Sequence, residues 1–146
     1  MCLFVGVKIP TLAGLGLLLL SGLGAASVQA QAVLRITEAM SSSGTGGTPD
    51  WFELSNLGTN SVDVTGWRMD DISFLFANAV VLNGVTNIAA GESVVFIEAA
   101  DTNNVAAFKS FWGGMTNRQV GTYTGGGVGL SSSGDGVVVF NSSGVS

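Results

Sequence analysis

The chain has 146 residues, five Lys/Arg against ten Asp/Glu, one cysteine and no histidine, for a formal charge of −5. With no histidine and Cys2 confined to the extreme N-terminus, the usual zinc sites, a Ser-His-Asp arrangement and thiolate catalysis are excluded. The acidic balance, with Arg35, Arg68, Lys109 and Arg118 scattered along the chain, opposes nucleic acid and anionic membrane surfaces, where binding gains its energy from clustered cations.

Lys8 is the only charge ahead of an apolar run over residues 12–20, which passes through small residues to Val28-Gln29-Ala30. This pattern predicts an export signal over residues 1–30, cut before Gln31. The run is short and interrupted by Gly14, Gly16 and Gly22, so no stable membrane span is expected after cleavage. A retained N-terminal anchor is the alternative. Residues 31–146 then form one domain carrying four Lys/Arg and ten Asp/Glu, hence −6, and no cysteine. That length can bury a core without cross-links.

A first strand is predicted over residues 32–38, with Leu34 and Ile36 on one face, followed by a polar Gly/Ser loop over 40–49. Over 50–71 (DWFELSNLGTNSVDVTGWRMDD) Phe52 and Leu54 alternate with Trp51, Glu53 and Ser55. A turn containing Gly58 leads to a second alternation of Val62 and Val64, and the pair reads as a β-hairpin. At Gly66 the apolar phase flips to Trp67 and Met69, which predicts a β-bulge there. Residues 74–76 and 80–88 read as short strands, the latter broken by a turn at Asn83-Gly84. Residues 93–97 are apolar on both faces, as suits a central strand. Val105, Phe108 and Trp112 mark one side of a short helix over 101–112, capped by Asp101 or Thr102, anchored by Trp112 and stopped by Gly113-Gly114. The glycine-dense stretch 122–129 reads as part of a hairpin, and 137–140 as a strand.

Glu38, the motif Asp50-Trp51-Phe52-Glu53-Leu54-x-Asn56, and Val62-Asp63-Val64-x-Gly66-Trp67-x-Met69-x-Asp71 stand in a characteristic order. With Ala90-Gly91-Glu92-Ser93 and Leu130-Ser131-Ser132-Ser133-Gly134-Asp135, they resemble the lamin tail domain family over about residues 33–140. The resemblance implies an all-β, immunoglobulin-like β-sandwich with a short crossing helix. It singles out Glu38, Asp50, Trp51, Glu53, Asn56, Gly66 and Trp67 as family-motif positions. Residues 141–146 stop where the family's last strand begins, which predicts a longer parent protein or an edge completed by something else.

Candidate chemistry rests on carboxylates alone. A facing pair could serve a glycosidase, but a compact sandwich offers little room for a sugar cleft. Asp70 and Asp71, with Asp50 or Asp101 nearby, are the candidate calcium ligands, although no DxDxDG-type loop is present. The glycines at 125–129 precede no helix and are not expected to cradle phosphate. Trp51 and Glu53 share a strand face: they form an exposed ligand platform, or the indole packs near the bend at Gly66. Together these features predict a non-catalytic binding or structural module with a protein or surface-polymer partner, held by the 40–49 loop or an open strand edge. By the resemblance it is of the bacterial secreted or cell-surface type. The alternative is an adaptor for an extracellular hydrolase whose catalytic part lies beyond residue 146.

Overall fold

A computed structural model describes residues 33–41, 49–99, 102–124 and 127–146. In chain order the elements are β1 (Leu34–Met40), β2 (Trp51–Asn56), β3 (Val62–Asp63), β4 (Arg68–Asp70), β5 (Val80–Val81), β6 (Asn87–Ile88), β7 (Ser93–Glu98), α1 (Thr102–Trp112), β8 (Val120–Tyr123) and β9 (Val138–Phe140). One sheet has the order β1-β2-β7-β8, a second β5-β4-β9, and β3 pairs with β6.

Two cores flank the four-stranded sheet. Its inner face presents Phe52, Leu54, Val94, Phe96 and Tyr123, which pack against Val62, Val64, Met69, Leu82, Val85 and Ile88 of the opposing strands and turns. Phe52 stacks on Phe96 with ring centroids 5.5 Å apart. The outer face carries Trp51, Val95, Ile97 and Val120, closed by Phe108 from α1. Both faces of β7 are therefore buried, which is why its residues lack alternation. The helix joins β7 to β8, and these two strands are parallel, a connection that needs a crossover long enough to hold a helix. It thus crosses one sheet, where the sequence suggested a crossing between sheets.

The expected hairpin does not form: β2 lies between β1 and β7, while β3 pairs with β6. Alternation fixes which face a side chain takes but not which strand lies beside it. The chain leaves the sheet at Asn56, whose Nδ2 donates to the carbonyls of Asn60 (2.8 Å) and Ile88 (3.0 Å) and whose Oδ1 accepts from Gly58 N. At Gly66 there is a turn, where a bulge was expected. Trp67 N donates to Val64 O at 3.1 Å, and Gly66, with φ of 74°, takes the third position, which favours glycine. The phase flip is real, since Met69 is fully buried and Trp67 packs partly buried against the core.

Residues 74–76 are not a strand. Asp70 Oδ2 accepts from Ser73 Oγ (2.6 Å) and Leu75 N (2.8 Å), which folds the segment into consecutive turns. Asn83 forms a single bridge to Thr122. The stretch expected to be a hairpin over 122–129 is instead the end of parallel β8 followed by turn and loop, with residues 125 and 126 outside the described part. The strand predicted over 32–38 begins and ends two residues later, and most of the 40–49 loop and Asp101 also lie outside the described residues.

Candidate functional site

The outer face of the large sheet is built by the alternation of β2, which turns Trp51, Glu53 and Ser55 away from the sandwich core. The register of β1 against β2 shifts between Ile36 and Glu38, so Glu38 comes opposite Glu53. An extra residue at a strand irregularity lets two consecutive side chains take one face. Thr37 Oγ1 accordingly donates to Glu53 Oε1 at 2.7 Å and also meets Ser55 Oγ at 2.8 Å. Ser55 continues to Ser93 Oγ at 2.6 Å, making a polar ladder across three strands. Beside it, α1 lays its aromatic side over the sheet.

Glu38, Trp51, Glu53, Val95, Phe108, Trp112, Met115 and Arg118 line one pocket of about 220 Å³. Trp51 lies edge to face with Phe108 (6.2 Å) and with Trp112 (5.7 Å). The indole is thus neither an open platform nor packed at Gly66: it is 6% exposed and covered by the helix. Its Nε1 is buried without a hydrogen-bond partner. Arg118 Nη1 reaches Glu53 Oε2 at 3.1 Å, and Lys109 Nζ donates to the Arg118 carbonyl at 2.8 Å. Phe108, 3% exposed, is the helix's anchor, whereas Trp112 is 43% exposed. The left-handed Gly113 and Gly114 stop the helix as expected.

The remaining motif positions hold the fold. Asp50 is buried and accepts from Leu130 N at 2.5 Å, and Asp71 accepts from Gly129 N at 3.4 Å. Together they fasten the segment after β8 to the start of β2 and the end of β4. Glu98 lies across Gly129 from Asp50, and burial, then the Asp50 charge, raises its pKa above the ordinary carboxylate value. Burial is also the main reason that the Tyr123 hydroxyl is held well above its ordinary value, with Asp50, Glu98 and Asp71 adding to it.

Of the candidate calcium ligands, Asp71 and Asp50 meet at the 129–130 segment, whereas Asp70 turns away and Asp101 lies outside the described residues. Asp70 turns its Oδ2 to Ser73 and Leu75, while Asp71 turns to Gly129. Consecutive residues leaving a strand point to opposite sides. Among the described residues no group of three or more metal-ligating side chains is arranged to hold an ion. Asn56 braces the exit from β2, Gly66 makes a turn, and Trp67 packs on the core.

A second opening lies between the edge strands β1 and β9, a cleft of about 600 Å³ walled by Leu34, Ile36, Trp67, Val137 and Val139 among others. Sequence reasoning found the aromatic members of the first pocket but missed Met115 and Arg118. Both lie past the helix, where no periodicity marks them; the sole signal was that Arg118 is one of few cations in an acidic chain.

No helix among the described residues is long and apolar enough to cross a membrane. No curated protein matches the chain. The family model of the Lamin Tail Domain, an immunoglobulin-like fold, matches residues 27–146, and the two-core sandwich with its Glu38, Asp50, Trp51, Glu53 and Trp67 positions accords with it. The chain belongs to the lamin tail domain family.

Proposed function

We propose that this domain is a non-catalytic binding or structural module, exported by a cleaved signal over residues 1–30 and displayed outside the cell or on its envelope. The observation that supports this most strongly is how its carboxylates are used. Asp50, Asp63, Asp70, Asp71, Glu92 and Asp135 each accept a hydrogen bond from a backbone N–H, and Glu53 is paired with Arg118. A carboxylate that holds a loop in this way is stabilised as a charged acceptor and is not free to shuttle protons. These six acidic residues therefore brace turns and connections, as in a rigid scaffold.

A protein or surface-polymer partner suits such a scaffold, and the cleft between β1 and β9 offers it an open strand edge above apolar side chains. Nucleic acid does not suit it, because only four cations follow residue 30, scattered along the sequence against ten acidic residues. Expressing the full chain and sequencing the N-terminus of the exported protein tests the reading. Export with a mature N-terminus at Gln31 is expected. Intact Met1 on protein retained in the cytoplasm would reject it.

A further inference from the structure

We propose that the pocket beneath α1 binds an alkylammonium group, the chemistry shared by a lysine side chain and a choline-type head. This goes beyond the module reading and does not depend on export. The walls are aromatic: Trp112, 43% exposed, offers the open ring, and Trp51 and Phe108 line the pocket behind it, Trp51 meeting Phe108 at an interplanar angle of 70° and Trp112 at 80°. Tryptophan faces attract cations, a lysine ammonium among them, more strongly than other aromatic rings do, and aromatic cages recognise quaternary ammonium ligands. Val95 and Met115 complete an apolar lining suited to the methylene or methyl groups of such a cation.

Charge decides the sign of the ligand. Glu53 is neutralised by Arg118 at 3.1 Å and further satisfied by Thr37. Glu38, directly opposite Glu53 in the strand register, has no ion pair among the described residues. Like charges facing each other across a strand pair are unfavourable, and a cation at this rim relieves them. The pocket therefore carries one uncompensated negative charge beside its aromatic wall. An anion meets Glu38, and a neutral ligand leaves that charge unanswered. The volume, about 220 Å³, is below that of sites for drug-sized ligands and suits a single small head group.

The test uses the indole N–H resonances of Trp51, Trp112 and Trp67 in the ¹⁵N-labelled full chain. The probes are n-butylammonium and choline, with butan-1-ol and 3,3-dimethylbutan-1-ol as their neutral isosteres. The cations are expected to move the Trp51 and Trp112 signals while Trp67, in the other core, stays still. The neutral isosteres should bind roughly ten-fold more weakly. Glu38→Gln, at an exposed strand position, should weaken the cations and leave the isosteres unchanged, with no loss of melting temperature. Tighter binding of butylammonium assigns a lysine side chain as the source, and tighter binding of choline a quaternary ammonium. Equal affinity for cations and isosteres, or cation binding indifferent to Glu38→Gln, would overturn the proposal while leaving the module reading intact. Absence of any Trp51 or Trp112 shift would also overturn it.

Discussion

Trp51 and Phe108 meet edge to face, ring centroids 6.2 Å apart, on the side of the large sheet away from the sandwich interior. This contact joins the second core to the first, because Trp51 precedes Phe52, which lies at 0% exposure in the main core. One strand thus feeds consecutive side chains into two separate apolar clusters. The helix is held by burial on that outer face and not by its own propensity, since an isolated helix of this length is marginal in water.

Phe108→Ala is therefore expected to destabilise the domain by about 3–5 kcal/mol, the cost of truncating a buried aromatic ring. Trp112→Ala removes a side chain that is 43% exposed and should cost clearly less. Denaturant midpoints of the two variants, taken with equal m-values, check the order.

Gly121 is the tightest glycine in the sheet. A Cβ there would lie 2.5 Å from the Asn83 carbonyl oxygen and 2.5 Å from Phe96 Cε1. Neither can yield easily, because Asn83 is bridged to Thr122 and Phe96 is fully buried. Gly121→Ala should cost about 1–3 kcal/mol through overpacking, measured by the same unfolding titrations.

Glu98 gives the domain a pH dependence with a definite sign. Its folded-state pKa is raised, by burial first and by Asp50 second, above an ordinary value of 4.5, so the folded protein holds that proton more tightly than the unfolded chain. The resulting stability is fully present below about pH 4.5 and is lost as the pH rises through the folded-state value. Asp50, Asp71 and Tyr123 share this neighbourhood. Glu98→Gln should flatten that part of the profile, and Asp50→Asn should lower the Glu98 pKa as followed by its carboxyl ¹³C shift.

Much of the core was legible from local pattern. Phe52, Leu54, Val94, Phe96 and Met69 declared their burial by alternation or by a doubly apolar run, and Val105 and Phe108 declared the helix. Strand partners were not legible, because β2 reads the same whether it pairs with β3 or, as found, with β1 and β7. Phe74 and Phe76 misled for a related reason. Their spacing mimics a strand, but the Asp70 carboxylate captures the Ser73 hydroxyl and Leu75 N and folds the segment into turns, which no alternation signals. Asp50, Asp70 and Asp71 looked like turn or metal residues and are buried braces, since their backbone partners at 75, 129 and 130 are known only once the chain is folded. The pocket was half visible: its aromatic residues stood out, while the pairing of Glu53 with Arg118 spans 65 residues.

The proposal of a non-catalytic module rests on carboxylates that brace the fold, Asp50, Asp70 and Asp71 above all. Its most direct test is an assay of the purified protein on ester, glycoside and phosphate substrates, side by side with Glu53→Gln. Neither protein is expected to turn over any of them above the uncatalysed rate. Turnover that Glu53→Gln abolishes without lowering the melting temperature would contradict the claim.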